Sequence, residues 1–288
     1  MTDAKRCDAS LAVFLINLDR AGDRLLSMQH KLWRMGFRFE RVSAIDGAAI
    51  EFPMPDFDEF AFRFKHGRWR NPAEVGCYLS HIECARRLLA SNSEFALVLE
   101  DDLTFPDDFR GLMDAALKQN EKWDILRLST VSRGRKFNFS RLTKNRSLAV
   151  ALTREKGSGA YIINRRAAAW LVDELLPMQL PFDLAFDLEF FAGLKSAFVF
   201  PIPVDQQLGF PSQIQGERRR RFHRSRGHYF TVLPYRMFVE TARSLARFAQ
   251  LLGHLTNERT KPAIYGKERY GPEEMPPIHS QARRIGKM

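Results

Sequence analysis

From Phe95 to Leu99 the chain is unbroken apolar sequence, and the next three residues, Glu100, Asp101 and Asp102, are all acidic. An apolar run this short predicts a strand, here Phe95–Glu100, buried on both faces as in a parallel sheet. Open α/β sheets bind their ligands beyond the carboxyl ends of such strands. Three adjacent carboxylates repel one another, so this end calls for positive charge. A hard divalent ion, Mg²⁺ or Mn²⁺, takes oxygen ligands and bridges phosphates. The same residues also suit a solvated acidic turn opening the helix that Pro106-Asp107-Asp108 announces. A phosphatase of the haloacid-dehalogenase type needs Asp at the first acidic position, and here it is Glu100.

The rest of the chain alternates in the same manner. Leu11–Asn17 reads as a buried strand, Asp23–Met35 as an amphipathic helix stopped by Gly36, and Phe37–Ile45 as a second strand ending in the Asp46-Gly47 turn. That order implies a right-handed crossover and a parallel strand pair. Ala49–Trp69, rich in aromatics and interrupted by Pro53 and Pro55, reads as a loop or short helices. Helices are expected over Pro72–Ser91, Asp108–Asn120, Arg165–Leu176 and Phe182–Leu194. Strands are expected over Asp124–Ser129, Leu148–Leu152, Gly159–Ile163 and Ala197–Pro201. The class is α/β, with a mostly parallel sheet flanked by helices.

Charge divides the chain into residues 1–216, a catalytic-size body, and 217–288, a basic extension. From Glu217 onward there are 16 Lys and Arg against 6 Glu, a net +10 of the total +11. A nucleic-acid binder would interleave bases with aromatics across the fold; here the bases gather in the tail, and no specific nucleic acid is expected. Six arginines crowd 218–226, and Arg236–Leu255 forms an amphipathic helix with Arg236, Glu240, Arg243 and Arg247 on one face. This predicts peripheral contact of 217–255 with an anionic membrane through the basic face, although a helix packed on the body fits the same residues. Cys7, Cys77 and Cys84 suit reduced thiols of a cytoplasmic protein. Polar Met1–Ser10 predicts no signal peptide, and no run is long enough to span a bilayer.

Several segments, in order over residues 11–215, resemble glycosyltransferase family 25, which includes lipooligosaccharide and collagen galactosyltransferases. They are Phe14-Leu15-Ile16-Asn17-Leu18-Asp19-Arg20 with Asp23-Arg24, Arg41-Val42-Ser43-Ala44-Ile45-Asp46-Gly47, and Glu74-Val75-Gly76-Cys77-Tyr78-Leu79-Ser80-His81. Leu97-Val98-Leu99-Glu100-Asp101-Asp102, Gly157-Ser158-Gly159-Ala160-Tyr161-Ile162-Ile163 and Pro181-Phe182-Asp183 complete the set. The resemblance implies a GT-A-like, Rossmann-type fold, a UDP-linked sugar donor, a divalent metal and inversion at the anomeric carbon.

It also implies roles. Asn17, Asp19 and Arg24 would meet the nucleotide, and Asp46 the uridine; Glu100 would face ribose or donor sugar, and Asp102 the metal, with Asp101 beside them. Arg24 also reads as an ordinary surface residue, and Asp46 as a turn residue. Ser80 and His81 are donor-site candidates, although a helical histidine is commonly a packed one. Inversion in one displacement needs a base at the acceptor hydroxyl, for which Asp183 and Asp187 are the candidates. Asp183 after Pro181 would serve equally as a helix cap. The function expected is transfer of a sugar, galactose by the resemblance, to a lipid-linked surface glycan at the cytoplasmic face of the inner membrane. A catalytically idle body with a lipid- or nucleic-acid-binding tail is the rival. Neither reading fixes an oligomeric state.

Overall fold

The computed structural model describes residues 11–206 and 229–257. The arginine run at 218–226 and Cys7 lie outside the described residues. The first strand, β1 (Leu11–Asn17), is followed by α1 (Gly22–Arg34) and β2 (Glu40–Ser43). Next come α2 (Glu59–His66), α3 (Pro72–Ala90), β3 (Phe95–Leu99), β4 (Leu103–Thr104), α4 (Phe109–Leu117) and β5 (Ile125–Arg127). The chain continues through β6 (Lys136–Arg141), β7 (Ser147–Ala151), β8 (Ala160–Asn164), α5 (Arg165–Glu174) and α6 (Phe182–Ala185). A 3₁₀ stretch over Phe186–Ala192, β9 (Ser196–Phe200), β10 (Asp205–Gln206) and α7 (Val232–Asn257) follow, and short 3₁₀ turns lie at Gly47–Ala49 and Asn120–Lys122.

Eight strands form one sheet in the order β2-β1-β3-β8-β5-β9-β7-β6. Six run the same way and β7 and β8 run against them, so the mixed α/β sheet is parallel through β2, β1 and β3. Alternation along β1 divides the core. Phe14 and Ile16 join Tyr78, Ile82, Val98, Trp170 and Phe182 beneath α3 and α5. Val13 and Leu15 join Met28, Leu32, Leu97 and Met113 beneath α1 and α4. Because β3 sits inside the sheet with helices on both sides, it has no polar face, which is why it reads as continuous hydrocarbon.

Local chemistry fixes the elements around the sheet edge. Asn71 accepts from Ala73 N at 3.0 Å and Pro72 opens α3, the preferred cap and first-turn residues. The turn after β2 and the first turn of α3 touch backbone to backbone. A Cβ on Gly76 would lie 2.3 Å from Ile45 O, and one on Gly47 2.3 Å from Pro72 O. Glycine is required at both places by contact alone.

Within Ala49–Trp69, expected as a loop or short helices, Glu59–His66 is a short helix: Asp58 caps Ala61 N at 2.9 Å, Gly67 closes it at φ 76°, and of Phe60, Phe62 and Phe64 only Phe62 is buried. Other elements differ from expectation. Phe182–Leu194 is a single α turn and then 3₁₀, not one continuous helix. Strand β6 is a half-exposed outer strand, whose polar alternation hid it.

The largest departure concerns α7. It packs on the body beside β6, β7 and Phe186–Ala192, and its basic face points inward: Arg243 and Arg247 are each 1% exposed. These two arginines of that face are engaged by Asp187 and Glu189 within the body. Among the described residues no helix is long and apolar enough to cross a membrane.

Candidate functional site

Parallel register brings the carboxyl ends of β2, β1 and β3 to one edge, with Asn17 opposite Ser43 and Leu15 opposite Leu99. Glu100, Asp101 and Asp102 leave β3 there. Strand β8 enters from the other side, and Glu100 N donates to Gly159 O at 2.8 Å. A Cβ on Gly159 would crowd Leu103 at 3.2 Å, so this segment of the Gly157-Ser158-Gly159 motif passes close against the acidic end.

The three acids have separate surroundings. Asp101 is buried and accepts from Asn17 Nδ2 at 2.7 Å and from the Arg24 guanidinium. Burial raises its pKa, while the Asn17 hydrogen bond and the Arg24 charge oppose the rise. Glu100 Oε1 lies 3.5 Å from His81 Nε2. Asp102 has neither kind of support. Its Oδ1 is buried without a hydrogen-bond partner among the described residues. Burial first, then the charge of Glu100, push its pKa up to about 6, against a smaller pull from Arg24. Lys31, held by a hydrogen bond of 2.8 Å to Leu103 O, is within electrostatic reach of it.

Around this centre the expected nucleotide residues form a linked set. Asn17 is buried; its Nδ2 also donates to Ala21 O at 3.0 Å, and its Oδ1 accepts from Arg41 Nε at 3.1 Å. Arg41 continues to Asp19, which also accepts from Ser43 Oγ at 2.7 Å. Those bonds hold the Asp19 carboxyl below its ordinary pKa, Ser43 contributing most. Asp46 pairs with Arg20 and accepts from Ala48 N at 3.0 Å, so its turn role is real. The backbone bond leads in lowering its pKa. Asn17, Asp19, Arg24, Asp46 and the acidic triplet thus surround the same strand ends.

Ser80, a donor-site candidate, has its hydroxyl engaged within the protein. Fully buried, its hydroxyl accepts from Ile45 N at 2.9 Å and donates to Gly76 O at 2.7 Å, latching the β2 turn onto α3. His81 is fully buried as well: Nδ1 lies 3.0 Å from Tyr161 Oη, and the ring stacks on Phe182 at 4.1 Å. Its open edge faces Glu100. Ligand atoms of Cys77, His81 and Glu100 come within 4.8 Å of one another. Among the described residues Cys77 is half-buried and Cys84 buried, and neither forms a disulfide.

The two candidate bases part company. Asp183 is half-buried in the first turn of α6. The cap position belongs to Pro181, which makes no side-chain cap bond. Asp183 lies in a cationic setting: its charge raises the pKa of Lys156, which burial and Arg154 depress. Asp187 is completely buried. Its Oδ1 lies 2.7 Å from Arg247 Nη2 and 3.2 Å from Arg127 Nη2. Its Oδ2 accepts from Glu155 N at 3.1 Å and pairs with Arg243 Nε at 3.0 Å. With both oxygens committed and no exposure, Asp187 holds α7 to the body, which corrects its expected place beside the acceptor.

Sequence reading missed Arg41, Tyr161 and Lys31. Arg41 falls in a strand that shows only its apolar alternation. Tyr161 sits in an apolar run that signals nothing but a strand. Lys31 is one of many charges on an amphipathic helix.

The profile of "Glycosyltransferase family 25 (LPS biosynthesis protein)" matches residues 10–186, more than half of the chain. The chain is similar to "Probable inactive glycosyltransferase 25 family member 3" of Rattus norvegicus, 32% identical over 130 residues, covering 40% of this chain and 22% of the relative. It is similar also to "Procollagen galactosyltransferase 1-B" of Xenopus laevis, 31% identical over 127 residues, 40% of this chain and 20% of the relative. The matched region therefore spans about a fifth of the length of these curated relatives. Among solved structures it is similar to A197 from STIV, at TM-score 0.37 and 12% identity over 70% of this chain and 96% of the other. On the match across residues 10–186, the chain belongs to glycosyltransferase family 25.

Proposed function

We propose that this protein transfers a sugar from a nucleoside-diphosphate donor to a glycan hydroxyl, with a divalent cation held at Asp102. One observation carries the reading: a buried carboxylate oxygen without a protein partner among the described residues, at the ligand-binding edge of a parallel sheet, beside two further acids. The donor set fits a hard cation, since Asp102 and Glu100 offer oxygens while Asp101 is consumed by Asn17 and Arg24. Mn²⁺ or Mg²⁺ there would neutralise charge on the diphosphate leaving group.

The chain's own residues do the remaining work. Asn17, tied to Asp101 and Arg41, fixes the β1 end against which the nucleoside would lie. Asp19 and Asp46, both kept ionised by their partners, offer acceptors for ribose hydroxyls and for uracil N–H. Arg24 is placed to share charge between Asp101 and a phosphate oxygen. Asp183 is the group we assign to take the acceptor proton during inversion. A galactosyl donor follows the Xenopus relative's name, and a lipopolysaccharide-type acceptor follows the family description. The location proposed is the cytoplasmic face of the inner membrane, where such acceptors are assembled.

Calorimetric titration with UDP tests the reading, with Mn²⁺ and then with a chelator. UDP should bind only with the metal, and equal affinity in both conditions removes the metal role. A screen of UDP-sugars for donor hydrolysis then identifies the sugar. Relatives named inactive favour a second reading, nucleotide binding without transfer; metal-dependent UDP binding with no turnover of any donor or acceptor would establish it.

A further inference from the structure

Helix α7 presents an apolar face to solvent. Its buried charges, Arg243 and Arg247, turn inward: Arg247 Nη2 lies 2.6 Å from Glu189 Oε1 as well as against Asp187, while the half-exposed Glu240 pairs with Arg154 Nε at 3.7 Å on the side away from the apolar face. No exposed residue among those described in the helix is charged. Phe238 and Leu245 stand seven residues apart, and Leu245, Phe248, Leu252 and Leu255 follow at three- and four-residue spacing along the outward side, which places all five in one stripe; Leu245 is 66% exposed. Phe191, exposed on the body, stacks on Phe238 with ring centroids 5.9 Å apart and extends the stripe. Phe230, just before the helix, is 85% exposed. A contiguous apolar surface of this kind marks a contact site.

We propose that this face lies in the interface of an anionic lipid membrane, so that the apolar side of α7 and not its basic side meets the lipid. Charge complementarity selects this occupant. The sequence sets six arginines at 218–226 before the helix and Arg259 and Lys261 after it. An apolar stripe with cations at both ends matches hydrocarbon beneath anionic headgroups. A second copy would bring these like-charged flanks together in either orientation. The positions beside the stripe, Ala242, Ser244 and Ala249, also carry none of the charges that select a partner helix. The chain's remaining segments are poor covers in sequence: 207–228 is mostly polar and basic, and 258–288 scatters few apolar residues among four prolines. The inference deepens the transferase reading by placing the enzyme where a lipid-linked acceptor resides, but lipid binding is measured without donor or acceptor.

The test is co-sedimentation of the full chain with vesicles of phosphatidylcholine alone and of phosphatidylcholine mixed with phosphatidylglycerol. Wild type should pellet with the mixed vesicles only. Phe248→Glu and Leu252→Glu should each lower partition by about tenfold or more, the worth of burying one such side chain. Both side chains are exposed, so the melting temperature and UDP binding should be unchanged, which separates failure here from failure of the transferase reading. A Phe238→Trp variant gives a second measurement: its added emission should shift to the blue with the mixed vesicles. Wild type indifferent to anionic lipid, glutamate variants that pellet like wild type, or an unshifted emission from the Phe238→Trp variant would each overturn the proposal. So would a lipid-free dimer that Leu252→Glu makes monomeric, an outcome that assigns the face to a second copy.

Discussion

Asn17 Nδ2 donates to Asp101 Oδ2 at 2.7 Å, tying the carboxyl end of β1 to the residue that leaves the end of β3. The bond joins positions 84 apart in sequence, and Arg24 completes it from α1. It separates the adjacent acids: Asp101 is spent on this tie, whereas Asp102 Oδ1 is buried without a hydrogen-bond partner among the described residues. Asn17→Ala leaves Asp101 short of one donor in a buried place, and such losses cost about 1–3 kcal/mol. Denaturant unfolding should show that loss, and UDP affinity should fall with it. Full stability in Asn17→Ala would mean that the two strand ends are held by something else.

The proton affinity of Asp102 gives a pH signature. Its folded pKa, about 6, lies above the ordinary aspartate value of 3.8, so the folded state binds the proton more tightly. Stability contributed by this group is therefore present at low pH and is lost as pH rises from 3.8 through about 6. In chelator, Asp102→Asn should melt higher than wild type at about pH 7.5, above both values. The gain should shrink as pH falls through about 6 and vanish near 3.8. Thermal melts across this range check it; a pH-independent difference would remove desolvation and the neighbouring acids as the cause.

Gly76 has no side chain because Ile45 O occupies the space, 2.3 Å from where a Cβ would be. Gly76→Ala must separate α3 from the β2 turn, displacing the Ser80 latch and with it Asp46. Overpacking of this kind costs about 1–3 kcal/mol or more. The melting temperature should drop, and UDP affinity should fall more than in a surface control, Glu94→Gln. An unchanged melting temperature would show that α3 can shift freely.

The sheet was legible because physics at this scale is local. Leu11–Asn17 and Phe95–Leu99 are buried on both faces and show it in every residue, and the acids at Glu100–Asp102 announce a strand end by contrast. Pairings between distant residues were not legible. Nothing near Ser80 in sequence tells that its hydroxyl is spent on Ile45, and nothing near Asp187 points to Arg243 and Arg247. Helix α7 shows the limit clearly: periodicity revealed two faces, but which one turned outward depended on Asp187 and Glu189. An amphipathic pattern fixes the division of a helix and leaves its orientation to the partners.

Asp183 and Asp187, four residues apart, should respond oppositely to the same substitution. Asp183 is half-buried near Lys156, and Asn there keeps the shape while removing the base. If it accepts the acceptor's proton, Asp183→Asn should lower kcat by about 10²–10⁴-fold, the usual worth of a positioned general base. Donor affinity and melting temperature should stay near wild type, because neither depends on that proton. Asp187→Asn instead removes the charge that Arg127, Arg243 and Arg247 surround in a site without solvent. Breaking a buried pair from one side costs about 3–5 kcal/mol, since the partner charges stay buried. Glu189 remains for Arg247, with burial raising its own pKa, and it cannot serve all three arginines. The Asp187→Asn protein should unfold at lower denaturant, and native-state hydrogen exchange should accelerate first in α7. Steady-state kinetics on both variants, read beside their melting curves, decides the assignment. An active Asp183→Asn enzyme would exclude Asp183 as the base, and a stable Asp187→Asn protein would show that α7 is held by its packing and not by its charges.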